Sequence, residues 1–206
     1  MASPGQVIAR LRKRLYNRED RYLYLSPDPR SLGDLPSLAP FQSVRVDASN
    51  GDIIDAWKGI KESFRQEFRE MLAAGEIGLF ILDGDVVASH VWLQINKGPG
   101  VIHRGYLRLY PGEGYSHFAH TYKAYRRQNL AHLLACQLLQ MQEDLAAEGI
   151  ERLKASVLVT NTPSLALLRS VGVDIVGRST QWTILGLNFY RIRLNESGKA
   201  LPDVRW

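Results

Sequence analysis

The run Tyr125-Arg126-Arg127-Gln128-Asn129-Leu130-Ala131 sets two adjacent arginines where a strand-like segment gives way to a helical stripe. The first turn of a helix leaves about four backbone N–H groups without partners, and the macrodipole adds partial positive charge. Such a terminus suits phosphate or pyrophosphate, and Arg126 and Arg127 reinforce it with fixed charge. The same pair also suits two solvated arginines at an exposed turn. Upstream, Glu113 stands between Gly112 and Gly114, and His117 and His120 follow on the strand-like run. A carboxylate or imidazole there could act as a general base, though each also suits an ordinary loop or strand residue. Strand alternation places His117 and His120 on opposite faces, so the two rings cannot close on one ion, and no cysteine pair accompanies them. No metal site is expected. Cys136 has no histidine placed by sequence to activate it, so it is not expected to be a nucleophile. Tyr106, Tyr110, Tyr115, Tyr122 and Tyr125 crowd one short stretch. They suit strand packing or an aromatic-lined pocket. Serine-hydrolase and P-loop motifs are absent.

These residues need elements to hold them. The chain has 206 residues, enough for one domain with decoration and a sizeable core. Residues 1–20 read as a basic amphipathic helix, and the four prolines of 26–40 mark a linker or draped arm. QSVRVD, 42–47, alternates as a first strand. Apolar residues from Ile53 to Leu72 advance at helical spacing, giving one long or two short helices over 52–74, with Gly75 as the stop. IGLFIL, then Asp83-Gly84, then DVVASHVWLQI form a hairpin signal. Residues 97–100 break the chain, 101–111 fit either a short strand or an irregular loop, and 115–125 read as a strand. Leu130, Leu134, Leu138, Met141 and Leu145 draw a helix from Asn129 to Glu148. RLKASVLV is the next strand. A second helix follows, with Asn161 or Thr162 as cap, Pro163 in its first turn and Gly172 past its end. VDIVGRS and QWTILGLNFYRIRL read as two terminal strands. The fold class is therefore mixed α/β, with a strand–helix–strand unit at its centre.

Composition narrows the classes. Hydrophobic residues make up 45% and charged residues 23%, which excludes a disordered or fibrous chain. The longest uncharged run, Gln128 to Gln142, is too short for a membrane span of ~20 residues, as is the apolar run Val86 to Asn96. The N-terminus lacks the apolar core of a secretory signal, and a single cysteine forms no internal disulfide, so cytoplasmic residence is the default. Of the net charge of +5, most falls in residues 1–30, with Arg10, Arg12, Lys13, Arg14, Arg18, Arg21 and Arg30 against Glu19, Asp20 and Asp28. A solvated basic helix explains this better than contact with nucleic acid or an anionic membrane surface, because the cluster is short and interrupted by acids.

The segment 113–193 resembles the core of the GNAT superfamily of acyl-CoA-dependent N-acyltransferases. That family's signature, Arg/Gln-x-x-Gly-x-Gly/Ala between a strand and a long helix, stands here as Arg126-Arg127-Gln128-Asn129-Leu130-Ala131. Asn161, Ser164 and Gly172-Val173 match the family's later spacing, and residues 42–96 fit its N-terminal half. The resemblance implies a mostly antiparallel sheet with helices on both faces. It divides the chain into a basic arm and linker, 1–41, a catalytic domain, 42–194, and a tail, 195–206. It also implies that acetyl-CoA or a longer acyl-CoA is the co-substrate and that an amine is the acceptor. The amides of 127–131 would cradle the pyrophosphate together with Arg126, Arg127 and Gln128. The pantetheine arm would pair with the strand near Tyr122 to Tyr125, Ala124 included, and Asn161 with Ser164 would reach the arm from the next strand's end. Glu113 falls where the family often places its general base, and His117 is a second candidate.

Three positions depart from the family pattern. Asn129 replaces the central glycine, and asparagine is among the few residues that tolerate left-handed backbone. Leu168 stands where many members carry a tyrosine that protonates the departing thiolate, which leaves Tyr122, Tyr125, Tyr190 or water to substitute. Val173 replaces a phenylalanine. The first two departures also suit a non-catalytic acyl-CoA sensor or scaffold, and the basic arm suits an RNA-associated relative. The apolar stretch Trp182 to Tyr190 could pair two copies into a homodimer.

Overall fold

The computed structural model describes residues 16–26 and 37–199. In chain order the elements are β1 (Tyr16–Leu25), β2 (Gln42–Val46), α1 (Ile53–Ala56), α2 (Glu62–Ala73), β3 (Ile77–Asp83), β4 (Val86–Asn96), β5 (Ile102–Arg104), β6 (Leu107–Leu109), β7 (Glu113–Thr121), a 3₁₀ turn (Lys123–Tyr125), α3 (Leu130–Ala147), β8 (Arg152–Leu158), α4 (Thr162–Ser170), β9 (Ile175–Ile184), β10 (Leu187–Leu194) and α5 (Glu196–Lys199). Eight strands form one sheet in the order β10-β9-β1-β8-β7-β4-β3-β2, and β5 with β6 forms a separate hairpin. Every neighbouring pair is antiparallel except β7 and β8. The mixed α/β class is the one that the sequence pattern implies, and the mostly antiparallel sheet is the one that the resemblance implies.

Alternation along the strands sorts the core into two faces. Ile77, Leu79, Ile81, Val91 and Leu93 point to one face, where the stripe Leu130, Leu133, Leu134, Met141 and Leu145 of α3 covers them. Phe80, Leu82, Val87 and Trp92 point to the other and meet Phe68 of α2. The β5–β6 hairpin covers the rest of that second face through Leu107 and Leu109, which pack on Leu23, Tyr115 and Val176. The segment 101–111 is therefore a short hairpin folded over the sheet.

Residues 16–25 form a strand, where the charge pattern suggests the end of a helix. The remainder of that expected helix, and most of the Pro-rich linker, lie outside the described residues. β1 lies between β8 and β9 and pairs antiparallel with both. Its YLYL end sends Tyr24 to the α3–α4 face and Leu23 to the hairpin face. Its charges are matched across the sheet: Asp20 accepts from Thr180 Oγ1 at 2.6 Å and pairs with Arg178 at 3.2 Å and Arg18 at 3.1 Å. Arg21 pairs with Glu19 at 3.0 Å. Backbone pairing on both sides outweighs the local helical pattern, and it uses two of the cations that made a nucleic-acid arm conceivable. The final two strands also divide differently from the sequence reading. β9 runs unbroken through Arg178–Gln181, and the turn falls at Leu185-Gly186. β10 is an edge strand, and Leu185, Leu187 and Phe189 of its hairpin are exposed.

Candidate functional site

The parallel pair β7–β8 is joined only at its base. Glu113 to Ser116 pair with Arg152 to Ala155, and there the pairing stops. At the base Gly114 is packed so closely that a Cβ would lie 2.7 Å from Leu153 Cδ2. Beyond Ser116 and Ala155 the two strands separate, β7 staying with β4 and β8 with β1. The result is a V-shaped split. Residues 117–121 of β7 present an unpaired backbone edge about 16 Å long along it.

At the open end of the V the chain turns into α3. Arg127 and Asn129 both adopt left-handed backbone, φ 67° and 59°. Alternating handedness of this kind turns successive amides inward to form an anion-binding concavity. Among the described residues the amides of 127–131 donate to no acceptor, and the Asn129 side chain does not cap the helix. Asn129 thus adopts the left-handed backbone that asparagine is among the few residues to tolerate. Arg127, Asn129, Leu130 and Ala131, with Thr121, Tyr125 and Arg126, line an open cleft of about 580 Å³, whose far wall is Pro163, Ala166, Leu167 and Ser170 of α4. His132 Nδ1 and Ser170 Oγ, 3.1 Å apart, bridge the two helices across it. Arg126 Nε donates to the Thr121 carbonyl at 3.3 Å, and Gln128 Nε2 to that of Ala124 at 3.3 Å.

Several expected residues are placed differently. β7 ends at Thr121, the Tyr122 amide donates to the Ala88 carbonyl at 3.0 Å, and Ala124 lies in the 3₁₀ turn. The backbone edge free to pair with an extended ligand is therefore 117–121 and not 122–125. Asn161 caps α4, its side-chain oxygen accepting from the Ser164 amide at 3.3 Å, so both residues are engaged in ending the strand–helix loop. The Tyr122 ring packs against Phe64 and His90 on the α2 face. Its hydroxyl is buried without a partner, and burial pushes its pKa up to about 12. It lies on the opposite face of the sheet from Leu168, which packs among the side chains between α4 and α3. Cys136 is buried in that same cluster, since α4 and β1 cover the flank of α3 that the stripe alone left open, and burial raises its thiol pKa.

Glu113 is not an open carboxylate. It is buried at the closed base of the V, accepts from Lys154 Nζ at 2.5 Å and from the Tyr110 amide at 2.9 Å. Lys154 also donates to the Arg108 carbonyl at 3.1 Å, and burial lowers its pKa against the opposing effect of Glu113. A carboxylate held this way stabilises the strand junction and has no route to a substrate proton.

His117 is the first residue beyond the vertex. A bulge explains its orientation: His90 and Trp92 of β4 face His120 and His117 of β7, so three steps on β7 match two on β4, with Phe118 at φ 51°. The extra residue turns His117 and His120 to the same face, against the alternation expected of a regular strand. His120 stacks edge-on to Phe64. His117 Nε2 lies 2.7 Å from Glu76 Oε2, and both side chains are buried. Arg104 of the hairpin approaches Nδ1 at 3.2 Å and also donates to Gln94 Oε1 at 3.1 Å. Guanidinium only donates, so Nδ1 is the acceptor and Nε2–H donates to Glu76. Beside this group, Tyr106 and Tyr115 hydroxyls converge on Ser156 Oγ at 2.7 and 2.8 Å. Glu76, Arg104 and Ser156 were not singled out by sequence. The one available signal was Glu76, a lone carboxylate opening the apolar run IGLFIL.

No protein-family model matches the sequence, and no curated protein is similar to it. Solved structures are similar in fold. A GCN5-related N-acetyltransferase-like protein from Streptococcus suis superposes with a TM-score of 0.54 at 17% identity, covering 86% of this chain and 66% of its own. A tandem GNAT protein from the clavulanic acid biosynthesis pathway gives 0.55 at 11%, covering 88% and 58%. A Drosophila protein gives 0.51 at 16%, covering 94% and 57%. The chain spans less than two thirds of the length of each. It has a divergent GNAT fold. Among the described residues no group of three His, Cys, Asp or Glu could hold a metal ion, and no helix is long and apolar enough to cross a membrane.

Proposed function

We propose that the protein transfers an acyl group from acyl-CoA to an amine. The observation that carries this reading is the V between β7 and β8, with five unpartnered amides at its open end and a Glu–His pair at its vertex. The distance along β7 from Thr121 to Ser116, about 16 Å, is comparable to the reach of a pantetheine arm. The amides of 127–131, Arg126 and Arg127 hold the pyrophosphate, and the edge 117–121 pairs with the arm. A backbone N–H of the split strand polarises the thioester carbonyl and stabilises the oxyanion, a contribution typically worth a few kcal/mol.

His117 accepts the proton of the attacking amine through Nδ1. Glu76 fixes the tautomer through Nε2–H and stabilises the imidazolium that forms. For this to happen Arg104 must leave Nδ1, and its partly exposed side chain on the hairpin has room to do so. The acceptor enters from the hairpin face, where Tyr106, Tyr115 and Ser156 line the approach. One observation favours a second reading, in which the protein binds acyl-CoA without turning it over: both nitrogens of His117 are engaged, and Leu168 offers no proton to a departing thiolate.

Calorimetry with acetyl-CoA and a long-chain acyl-CoA, paired with thiol release across an amine panel, tests both. The expected result is binding that weakens about tenfold on Arg127→Ala, with thiol release that requires an amine. Binding without release under any amine selects the sensor. Absence of binding to either ligand at millimolar concentration overturns the donor assignment.

A further inference from the structure

A second, smaller cavity of about 50 Å³ lies on the α3–α4 face, immediately behind the vertex of the V. Its walls include Ser116 and Ala155, the last paired residues of β7 and β8, together with Leu138 of α3 and Leu168 of α4. It sits one to two turns farther along α3 than the phosphate cleft, while Leu168 and Val171 lie level with the α4 residues that wall the cleft, and the sulfur end of the arm falls here if the pyrophosphate is held at 127–131. β1 closes it from beneath with Tyr24 and Ser26.

Three hydroxyls border this space. That of Ser116 is directed at the Lys154 carbonyl, 3.5 Å away. That of Ser26 is wholly occluded. Tyr24 is 1% exposed, yet its hydroxyl, unlike that of Tyr122, is not fully occluded, and it makes no hydrogen bond among the described residues. The small accessible surface of the residue therefore lies at its oxygen. The register that pairs Tyr24 with Ala155 holds the ring on the helix side, and the irregularity between Leu23 and Tyr24 in the β1–β9 ladder sets it there.

We propose that Tyr24 is the proton donor to the departing CoA thiolate, supplied by the inserted strand β1 in place of a hydroxyl at position 168. This rests on the acyl-CoA reading above. As the amine nitrogen bonds to the carbonyl carbon, the C–S bond breaks and its electron pair leaves on sulfur. Sulfur takes the Tyr24 hydroxyl proton, the surplus amine proton goes to His117, and water restores the phenol. Burial raises the Tyr24 pKa, so the hydroxyl keeps its proton at neutral pH until the thiolate forms.

The test needs no acceptor. Wild-type protein is titrated with CoA and with desulfo-CoA, which lacks the sulfur. The wild type prefers CoA by about five- to tenfold, and the preference grows as pH rises through the thiol pKa, because a thiolate is the better acceptor. Tyr24→Phe removes the preference and leaves desulfo-CoA affinity unchanged. Adding Leu168→Tyr to that variant restores it, since both side chains line the same cavity. A Tyr24→Phe protein that keeps the full preference overturns the assignment, as does a wild type that binds both ligands equally. If the wild type binds neither, the donor reading itself fails, and that outcome is distinct from the first two.

Discussion

Two buried carboxylate–base pairs sit on the same face of the sheet, four residues apart along β7. Lys154 and Glu113 meet at 2.5 Å at the closed base of the V, and His117 and Glu76 meet at 2.7 Å at its vertex. Distance and burial barely distinguish them. What differs is the backbone around them and the proton each can move. Glu113 lies where β7 pairs on both sides, and its partner Lys154 is held by Glu113 and by the Arg108 carbonyl. His117 lies where β7 has lost one neighbour, so its ring stands beside the open edge of the split. The comparison shows that a carboxylate's place in a sequence motif does not decide its role. The ladder on either side of it does.

The largest effect is expected at the base of the V. Glu113→Ala removes the buried carboxylate that accepts from Lys154 Nζ, and breaking such a pair typically costs about 3–5 kcal/mol. Thermal unfolding should shift down by about 6–20 °C. Replacing both partners, Glu113→Leu with Lys154→Met, should recover most of that loss. If Glu113→Ala instead unfolds normally and abolishes thiol release, Glu113 is the base and the contrast collapses. At the vertex the expected pattern is reversed. His117→Gln should lower amine-dependent thiol release by about a hundredfold with acetyl-CoA affinity unchanged. A drop in affinity of similar size would make His117 part of the donor site.

The sequence carried much of this. The α3 stripe, the Asp83-Gly84 hairpin and the Arg126–Ala131 junction were legible because each is set by local periodicity or turn chemistry. Asn129 was read as a residue able to take left-handed backbone, and it does so. What was not legible depends on partners distant in the chain. β1 becomes a strand only because β8 and β9 flank it. The Phe118 bulge, which sends His117 and His120 to one face, arises from the mismatch with β4 and has no glycine to announce it. Glu113 has a motif position but owes its burial to Lys154, 41 residues away.

A further contrast lies on β4, where His90 pairs across the ladder with His120 of β7. His90 is fully buried among Phe64, Phe68 and Phe80, and neither ring nitrogen has a partner among the described residues. Burial, with His120 adding to it, pushes its pKa down to about 3. Between that value and the unfolded value of about 6.5, the unfolded chain binds a proton that the folded chain refuses. Stability is therefore complete above pH 6.5 and falls as pH drops toward 3. Glu148, held at about 2 by Arg45 and Lys97, adds its own loss only below about pH 4.5. Denaturant unfolding of His90→Phe should show a flatter profile between pH 6.5 and 4.5, and at pH 5 a gain of about 1–2 kcal/mol over wild type. An unchanged slope would mean the ring is hydrogen-bonded through water and charges without cost.

The smallest effect is expected at Asn129, and it bears on how much a missing glycine matters. At φ 59° an L-residue normally costs about 1–2 kcal/mol, and asparagine reduces that cost. Asn129→Gly keeps the backbone and removes a Cβ beside the anion cradle, so acetyl-CoA affinity should rise no more than about threefold. Asn129→Ala keeps the Cβ and loses the tolerance for this conformation, so stability should fall by about 1 kcal/mol. The two variants separate backbone from side chain at one position. Should Asn129→Gly weaken acetyl-CoA tenfold, the asparagine amide itself contacts the ligand, and the cradle is more than a set of backbone donors. Should both variants bind as the wild type does, the pyrophosphate is held by Arg126 and Arg127 and the amides behind them contribute little.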